Sequence, residues 1–230
     1  MRAMTKTVTN GLLCAMALAG IFLAAPAVYA DPVAVGELIK LHDMGGTTSG
    51  GPFGVYKGTY DATDPLFWTF CIETGEHIAL DAEYRVDSIA TYAVKGGAGG
   101  NGAEDYLSEQ TAYLYYHFRI GDLKALGGYT DDTAYWDDLQ KAIWWFENEI
   151  TTNPGNALVT LANNKTNNGG PGGEWDGLGP VRALNLVDKN NPNNVKQSQL
   201  TLVPEPSTIL LLGMGLLGGA VVGSRRRKKA

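Results

Sequence analysis

The chain has 230 residues, of which 44% are hydrophobic and 18% are charged, and its formal net charge at pH 7 is −6. Residues 31–203 hold 11 Lys and Arg against 23 Asp and Glu, so this central part is strongly acidic. An acidic surface disfavours nucleic acid and anionic membranes as partners. The length of the central part suits one domain with a real hydrophobic core.

The first 30 residues have the layout of a secretory signal peptide. A short basic start precedes an apolar stretch over residues 12–25, and small residues end at Ala30. This order predicts export with cleavage after Ala30. Cys14 would leave with the signal peptide, so Cys71 becomes the sole thiol of a protein in an oxidising compartment.

Residues 33–60 carry short apolar runs separated by Gly-rich turns, which is typical of β-hairpins. A stronger strand is predicted over residues 66–72, which are aromatic and β-prone and hold Cys71. Residues 83–89 alternate apolar and polar positions, as a half-buried strand does. The flanks of Cys71 are apolar, which is also the pattern of a small buried hydrophobe, so a reactive and a structural cysteine both stay open here.

Five of the seven residues 96–102 are Gly, and this segment is predicted to form a flexible joint. A phosphate-binding loop would need a Lys-Ser/Thr or an acidic ribose contact after the turn, and neither follows. Asn101 with Glu104 three positions later has the form of a helix N-cap, which predicts a first helix over residues 103–119.

Asp131 and Asp132 are predicted to open a second helix, because acidic groups suit the positive end of the helix dipole. Its apolar stripe runs as far as Phe146 at helical spacing. The two helices would form an insertion over about residues 103–150, packed on the β part.

Residues 163–173 are rich in Asn, Gly and Pro and predict a loop. Residues 181–187 and 196–203 return to strand character, with a turn between them. The order β, then α, then β predicts an α+β fold: an antiparallel β core, either a sandwich or a barrel, with a two-helix insertion.

The C-terminal tail begins with Pro204, Glu205 and Pro206, continues as an apolar run over residues 208–223, and ends in the basic cluster 225–229. The apolar run is short for a spanning helix of about 20 residues, but the basic cluster would hold its end on the cytoplasmic side. A plain membrane anchor is one interpretation.

In its three features and their order, this tail resembles the PEP-CTERM sorting signal. The resemblance implies recognition by an exosortase in a Gram-negative bacterium, with cleavage near the Pro-Glu-Pro triplet and delivery to the cell surface or extracellular matrix. The predicted organisation is then a signal peptide at 1–30, one domain at 31–203, and a sorting signal with a transmembrane segment at 204–230.

Three short motifs lie in the central domain: Phe70-Cys71-Ile72, then Leu139-Gln140-Lys141-Ala142-Ile143-Trp144, then Lys196-Gln197-Ser198-Gln199-Leu200. In this order, with helices between the first and the third, they resemble the motifs of thioester domains of the Cys-Gln type, the covalent-adhesion module of bacterial surface proteins. Leu139 departs from the threonine of that family, and Lys196 and Gln199 depart from its apolar positions.

The resemblance implies that the Cys71 sulfur condenses with a glutamine carboxamide and that ammonia leaves, which gives an internal thioester. Gln197 is the predicted acyl donor because it sits at the motif position, and Gln199 is the fallback. Gln140 is predicted to support the thioester by hydrogen bonding. Aromatic residues are predicted to shield the bond from water: Phe67, Trp68, Phe70, Trp144 and Trp145.

The resemblance further implies a surface or matrix protein that is not an enzyme. It would capture an amine or hydroxyl nucleophile on a partner protein or polymer covalently. The alternative is a noncovalent structural or carbohydrate-binding matrix protein with a merely buried Cys71.

No cofactor or metal is predicted, because the three histidines are scattered and no loop has calcium-binding spacing. A Cys71–His77 hydrolase is a further alternative, but no local signature accompanies that pair.

Overall fold

The structure is a computed structural model that describes residues 30–47, 50–58, 64–95, 104–167 and 173–204. The body of the predicted signal peptide, the Gly-rich joint and the predicted C-terminal membrane segment lie outside these residues. Among the residues that are described, no helix is long and apolar enough to cross a membrane.

The described chain forms eight strands and four helices. The strands are β1 (Leu38–Asp43), β2 (Phe53–Tyr56), β3 (Phe67–Thr69), β4 (Glu83–Ala90), β5 (Tyr92–Ala93), β6 (Asp105–Tyr106), β7 (Val181–Asp188) and β8 (Asn191–Leu202). The helices are α1 (Glu109–Ile120), α2 (Leu123–Leu126), α3 (Asp132–Phe146) and α4 (Ala157–Lys165). The predicted α+β class is confirmed.

Six strands form one antiparallel sheet in the order β3-β2-β1-β4-β7-β8. Its two edges then meet, because Cys71 just after β3 pairs antiparallel with Gln199 in β8. The Ile72 N–H donates to the Ser198 carbonyl at 3.1 Å, and the Leu200 N–H donates to the Phe70 carbonyl at 3.2 Å. The sheet thus closes on itself, as in a barrel, at a seam formed by residues 70–72 and 198–200.

Two hydrophobic clusters lie on the two faces of this closed sheet. The inner cluster contains Cys71 together with residues of β1, β2, β3, β4 and β7. The outer cluster contains Phe70, Ile72 and Leu200 together with the buried faces of the helices. Successive strand residues point to opposite faces, so the Cys71 side chain lies on the inner face while both neighbours face the helices.

Helix α1 starts later than the sequence predicted. Asp105–Tyr106 pairs with β5 as a short strand, and Ser108 is the N-cap, its side chain accepting from the Thr111 N–H at 3.1 Å. The predicted cap, Asn101, lies outside the described residues. The helix ends at Gly121, which adopts the left-handed conformation with φ of 86° that favours glycine.

Helix α3 begins as predicted. Asp131 is its N-cap and accepts from the Ala134 N–H at 2.7 Å. The helical insertion, however, runs on to Lys165, because α4 occupies residues 157–165 and overlaps the start of the predicted loop.

Glu147 joins the end of α3 to the start of α1. Its carboxylate accepts from the Ser108 N–H at 3.2 Å and from the Ser108 hydroxyl at 2.7 Å, and its side chain is almost completely buried. Burial raises the pKa of Glu147 from 4.5 to about 7. The folded protein therefore holds a proton on this group at pH values where the unfolded chain has released it.

This proton makes stability depend on pH. Between pH 4.5 and about 7 the native state binds more protons than the unfolded state, so the free energy of unfolding falls as pH rises, by up to about 1.4 kcal/mol per pH unit for one such group. Urea unfolding at several pH values is expected to show a shallower slope for Glu147→Gln. Glu174→Gln, an exposed control, should leave the slope unchanged. An equal slope in all three proteins would contradict the burial argument.

Candidate functional site

The seam brings one thiol against one carboxamide. The Cys71 Sγ lies 3.3 Å from the Gln199 Nε2 and 3.8 Å from the Gln199 Oε1. The carboxamide carbon is bonded to both of these atoms, so it lies in the same contact range. Both side chains are 0% exposed. The thiol and the carboxamide are thus in contact, and such proximity is the first requirement for a reaction between them.

The backbone explains why these two side chains meet. The ladder hydrogen bonds at the seam are made by residues 70, 72, 198 and 200, on either side of Cys71 and Gln199. Cys71 and Gln199 are thus a non-hydrogen-bonded antiparallel pair, in which the strands approach most closely and facing side chains are in contact. The closure of the sheet therefore sets the geometry of the site.

Gln140 of α3 binds the Cys71 backbone on the side that faces away from β8. Its Oε1 accepts from the Cys71 N–H at 3.1 Å, and its Nε2 donates to the Cys71 carbonyl at 2.9 Å. The carboxamide thus makes both bonds that a neighbouring strand would make, and the Gly50 carbonyl also accepts from the Cys71 N–H at 3.0 Å. Cys71 is fixed on one side by β8 and on the other by a helix.

Gln197 does not reach the thiol. Its Nε2 donates to the Glu73 carbonyl at 2.6 Å, beyond the end of the ladder. Gln197 and Gln199 lie two residues apart in β8, and the register of closure sets Gln199 opposite Cys71. The residue opposite Cys71 in the structure is therefore the fallback, Gln199, and not the preferred Gln197; the identity of the acyl donor stays a prediction.

The predicted aromatic shield is divided between the two faces of the sheet. Phe67 lies in the inner cluster with Cys71, whereas Phe70 and Trp145 lie on the helical side. Trp68 is half-buried with its ring 5.6 Å from that of Trp136. The rest of the inner cluster is mostly aliphatic, with Phe53 and Tyr84 as further aromatic members, and aliphatic side chains also exclude water.

The backbone of Gly50 passes close to the side chains of Gln140 and the half-buried Trp144. A Cβ added at Gly50 would lie 2.3 Å from the Trp144 Cζ2 and 2.7 Å from the Gln140 Cδ. Only a residue without a side chain lets the backbone pass this close. Gly50 thus allows Gln140 to reach Cys71.

Gly50→Ala is expected to lower the free energy of unfolding by about 1–3 kcal/mol, since the methyl group must displace Gln140 or Trp144. Denaturant unfolding measures this loss. Gly75→Ala is the matched control, because nothing lies within 4 Å of a Cβ added there. Equal stability of the two variants would show that the backbone at Gly50 shifts to accommodate the methyl group without a cost in stability.

Asp31 and Arg119 form a buried hydrogen-bond network near the seam that the sequence did not predict. The Asp31 carboxylate accepts from both terminal nitrogens of Arg119 at 2.7 and 2.9 Å, from the Thr201 hydroxyl at 2.8 Å and from the Leu202 N–H at 2.7 Å. Arg119 also donates to the Tyr115 hydroxyl at 2.9 Å. No local signal could have paired residues so far apart in sequence.

Tyr115 bridges the two strands of the seam. Its hydroxyl lies 2.9 Å from the Trp68 carbonyl and 3.0 Å from the Leu200 carbonyl. The chain from Asp31 through Arg119 to Tyr115 therefore ties both closing strands to α1 on the outer face.

The ionisation of Cys71 is unfavourable. Burial raises the pKa of the thiol well above its ordinary value; the Gln199 hydrogen bond opposes this effect, and the nearby charge of Glu73 adds to it. The thiol is thus protonated at neutral pH, so any reaction of the sulfur requires that its proton be removed.

The three histidines of the described chain are paired with carboxylates or exposed. His42 pairs with Asp81 at 2.8 Å, His117 pairs with Asp122 at 2.8 Å, and His77 is exposed. Among the described residues, no group of His, Cys, Asp and Glu is arranged to hold a metal ion. The geometry at Cys71 is that of a thiol–amide pair rather than a Cys–His pair.

Comparison with known proteins adds one finding. Residues 202–228 match the PEP-CTERM protein-sorting motif. This tail is a sorting signal. It implies export and sorting to the cell surface in Gram-negative bacteria, with processing by an exosortase. Of the triplet, Pro204 is exposed just beyond β8, and Glu205 and Pro206 lie outside the described residues. Neither a curated protein nor a solved structure matches the chain.

Proposed function

We propose that Cys71 and Gln199 condense to an internal thioester and that the exported protein uses it to attach covalently to a partner. The observation that carries the proposal is the contact of the Cys71 Sγ with the Gln199 carboxamide at 3.3 Å inside a fully buried seam. Proximity is the requirement, because an unassisted thiol and amide do not react at useful rates in water.

Thioester formation conserves atoms without an oxidant or a cofactor. The sulfur loses its proton and attacks the Gln199 Cδ, the C–N bond breaks, and the nitrogen leaves as ammonia. The new C–S bond joins the strand after β3 to β8 and closes the sheet covalently. Because both groups are completely buried, water has no path to the thioester in this conformation.

In capture, nitrogen is the attacking atom and sulfur is the leaving group. A primary amine of the partner attacks the thioester carbonyl, the C–S bond breaks, Cys71 returns to a thiol, and an amide joins the partner to the Gln199 side chain. A hydroxyl group would leave an ester instead. The protein turns over nothing, because the captured partner stays attached. Its natural partner is a surface or matrix protein or polymer that bears amines or hydroxyls.

Access to the bond requires the seam to open. The hydrophobic inner cluster and the pairing of β8 with residues 70–72 both cover the Gln199 carbonyl. Partner binding that separates these strands would expose the electrophile at the moment of capture. Until then the closed seam protects the thioester from hydrolysis.

Intact mass spectrometry of the exported protein tests this proposal. We expect a mass lower than the sequence mass by one ammonia, and treatment with methylamine should convert it to a methylamide adduct with one titratable thiol. Cys71→Ala should show the full mass and no adduct. A full mass with a freely titratable Cys71 in the native sequence would leave the noncovalent matrix protein as the better account.

A further inference from the structure

Glu73 is a completely buried acid beside the seam. Its Oε2 accepts from the Ser198 N–H at 2.8 Å, and its backbone carbonyl accepts from the Gln197 side chain at 2.6 Å. Its Oε1 is buried and makes no hydrogen bond. Buried acceptors are nearly always satisfied, so an unpaired carboxylate oxygen next to a reactive pair calls for a physical reason.

The carboxylate occupies a position in the sheet ladder. The Ser198 carbonyl accepts from the Ile72 N–H, but the Ser198 N–H donates to the Glu73 side chain instead of a strand carbonyl. The chain bends away after Cys71, and the carboxylate takes the place of the missing backbone acceptor. It therefore lies one rung from the Cys71–Gln199 pair, where its charge acts on the thiol.

Thioester formation at the seam needs a group that can accept and donate a proton. The buried thiol holds its proton at neutral pH, and a glutamine nitrogen leaves readily only after it gains a proton. The proton lost by sulfur and the proton gained by nitrogen can be the same one. A carboxyl group that binds Ser198, the residue next to Gln199, and whose charge acts on the thiol is placed to carry it.

We propose that the Glu73 carboxyl group carries the proton from sulfur to nitrogen during thioester formation, and from nitrogen to sulfur during capture; this rests on the proposed thioester. In formation, the ionised carboxylate takes the Cys71 proton as the C–S bond forms, and the carboxylic acid returns it to the Gln199 nitrogen as the C–N bond breaks. In capture, it takes a proton from the attacking amine and delivers it to the departing sulfur.

The surroundings of Glu73 suit this role near neutral pH. Burial raises the pKa of Glu73 from 4.5 to about 7; its bonds to Ser198 oppose this effect, and the charge of Glu76 adds to it. Lys95 is paired with Glu76 at 2.8 Å, and on the α3 side Glu149 is bonded to the neighbouring Thr74. A group with a pKa near the working pH is both a competent base and a competent acid.

The test follows ammonia loss as the protein folds. The whole chain, kept unfolded and reduced in denaturant, is diluted into detergent buffers of different pH, and intact mass is recorded against time while tryptophan fluorescence follows folding. In the native sequence, we expect the rate of ammonia loss to rise with pH around a midpoint near 7. Glu73→Gln should fold, lose ammonia at least ~100-fold more slowly, and lack that midpoint.

Glu76→Gln retains Glu73 and provides an independent readout if the first variant folds poorly. Without the Glu76 charge the pKa of Glu73 falls, so the midpoint should move to lower pH. Equal rates and pH profiles in Glu73→Gln and the native sequence, or an unmoved midpoint in Glu76→Gln, would overturn the role of Glu73 while leaving the thioester intact. Absence of ammonia loss from the native sequence would instead overturn the thioester itself.

Discussion

Gln199→Ala is expected to abolish the loss of ammonia completely. The variant should show its full sequence mass, a titratable Cys71 thiol and no methylamine adduct. The reason is geometric, because the Gln199 carboxamide is the group at 3.3 Å from the Cys71 Sγ. Intact mass and thiol titration of the exported variant measure the effect, which is all or none.

Gln197→Ala is the matched control. This glutamine is in the same strand, two residues away, and is also buried, but its carboxamide is bonded to the Glu73 carbonyl. Its removal should leave the ammonia loss intact. Should Gln197→Ala abolish the loss while Gln199→Ala preserves it, the register of the seam assigned above would be wrong.

Asp31→Ala is expected to lower the free energy of unfolding by about 3–5 kcal/mol. The substitution leaves the guanidinium group of Arg119 largely buried without its carboxylate, and an uncompensated buried charge carries a cost of this size. The Thr201 hydroxyl and the Leu202 N–H lose their acceptor as well. Equilibrium urea unfolding measures the loss.

Glu174→Ala serves as the comparison for this ion pair. Glu174 binds Lys165 at 2.9 Å, but its side chain is 78% exposed, so water and salt screen the interaction. Its loss should leave the unfolding midpoint almost unchanged. Similar midpoints for Asp31→Ala and Glu174→Ala would mean that the network through Arg119 does not hold the end of β8 in place.

The strands were readable from the sequence because their signals are local. Alternation over residues 83–89 and the apolar runs near residues 38 and 53 mark strands that the structure contains, and the runs near 38 and 53 pair with each other as a hairpin would. The N-cap of α3 was equally local, since the Asp131 side chain binds within its own turn. Helix α4 had a usable signal that was not used: Asn156 caps it, and apolar residues recur at helical spacing after it.

The sequence alone could not decide whether Gln197 or Gln199 contacts Cys71. Regular alternation predicts one face for Gln197 and Gln199, and which of them meets Cys71 depends on the pairing of β8 with a distant strand. That pairing passes through register shifts between β7 and β8, at Leu184 to Leu186. Motif position favoured Gln197, but the register of the closed sheet decides the contact.

The supporting contacts were hidden for a related reason. Asp31 and Arg119 are separated by 88 positions, and Glu73 and Ser198 by 125. Polar residues brought together by sheet closure leave no periodic pattern in the sequence, because each is isolated among unrelated neighbours. Cys71 itself was identifiable, since it is the one thiol that remains after the predicted cleavage of the signal peptide.

The most direct test of the internal thioester is a peptide map of the exported protein, digested at mildly acidic pH without reductant or amine. The thioester predicts that the peptide containing Cys71 and the peptide containing Gln199 are recovered as one cross-linked species that lacks one ammonia. Separate recovery of the two peptides, with a free thiol on Cys71 and an intact carboxamide on Gln199, would contradict it.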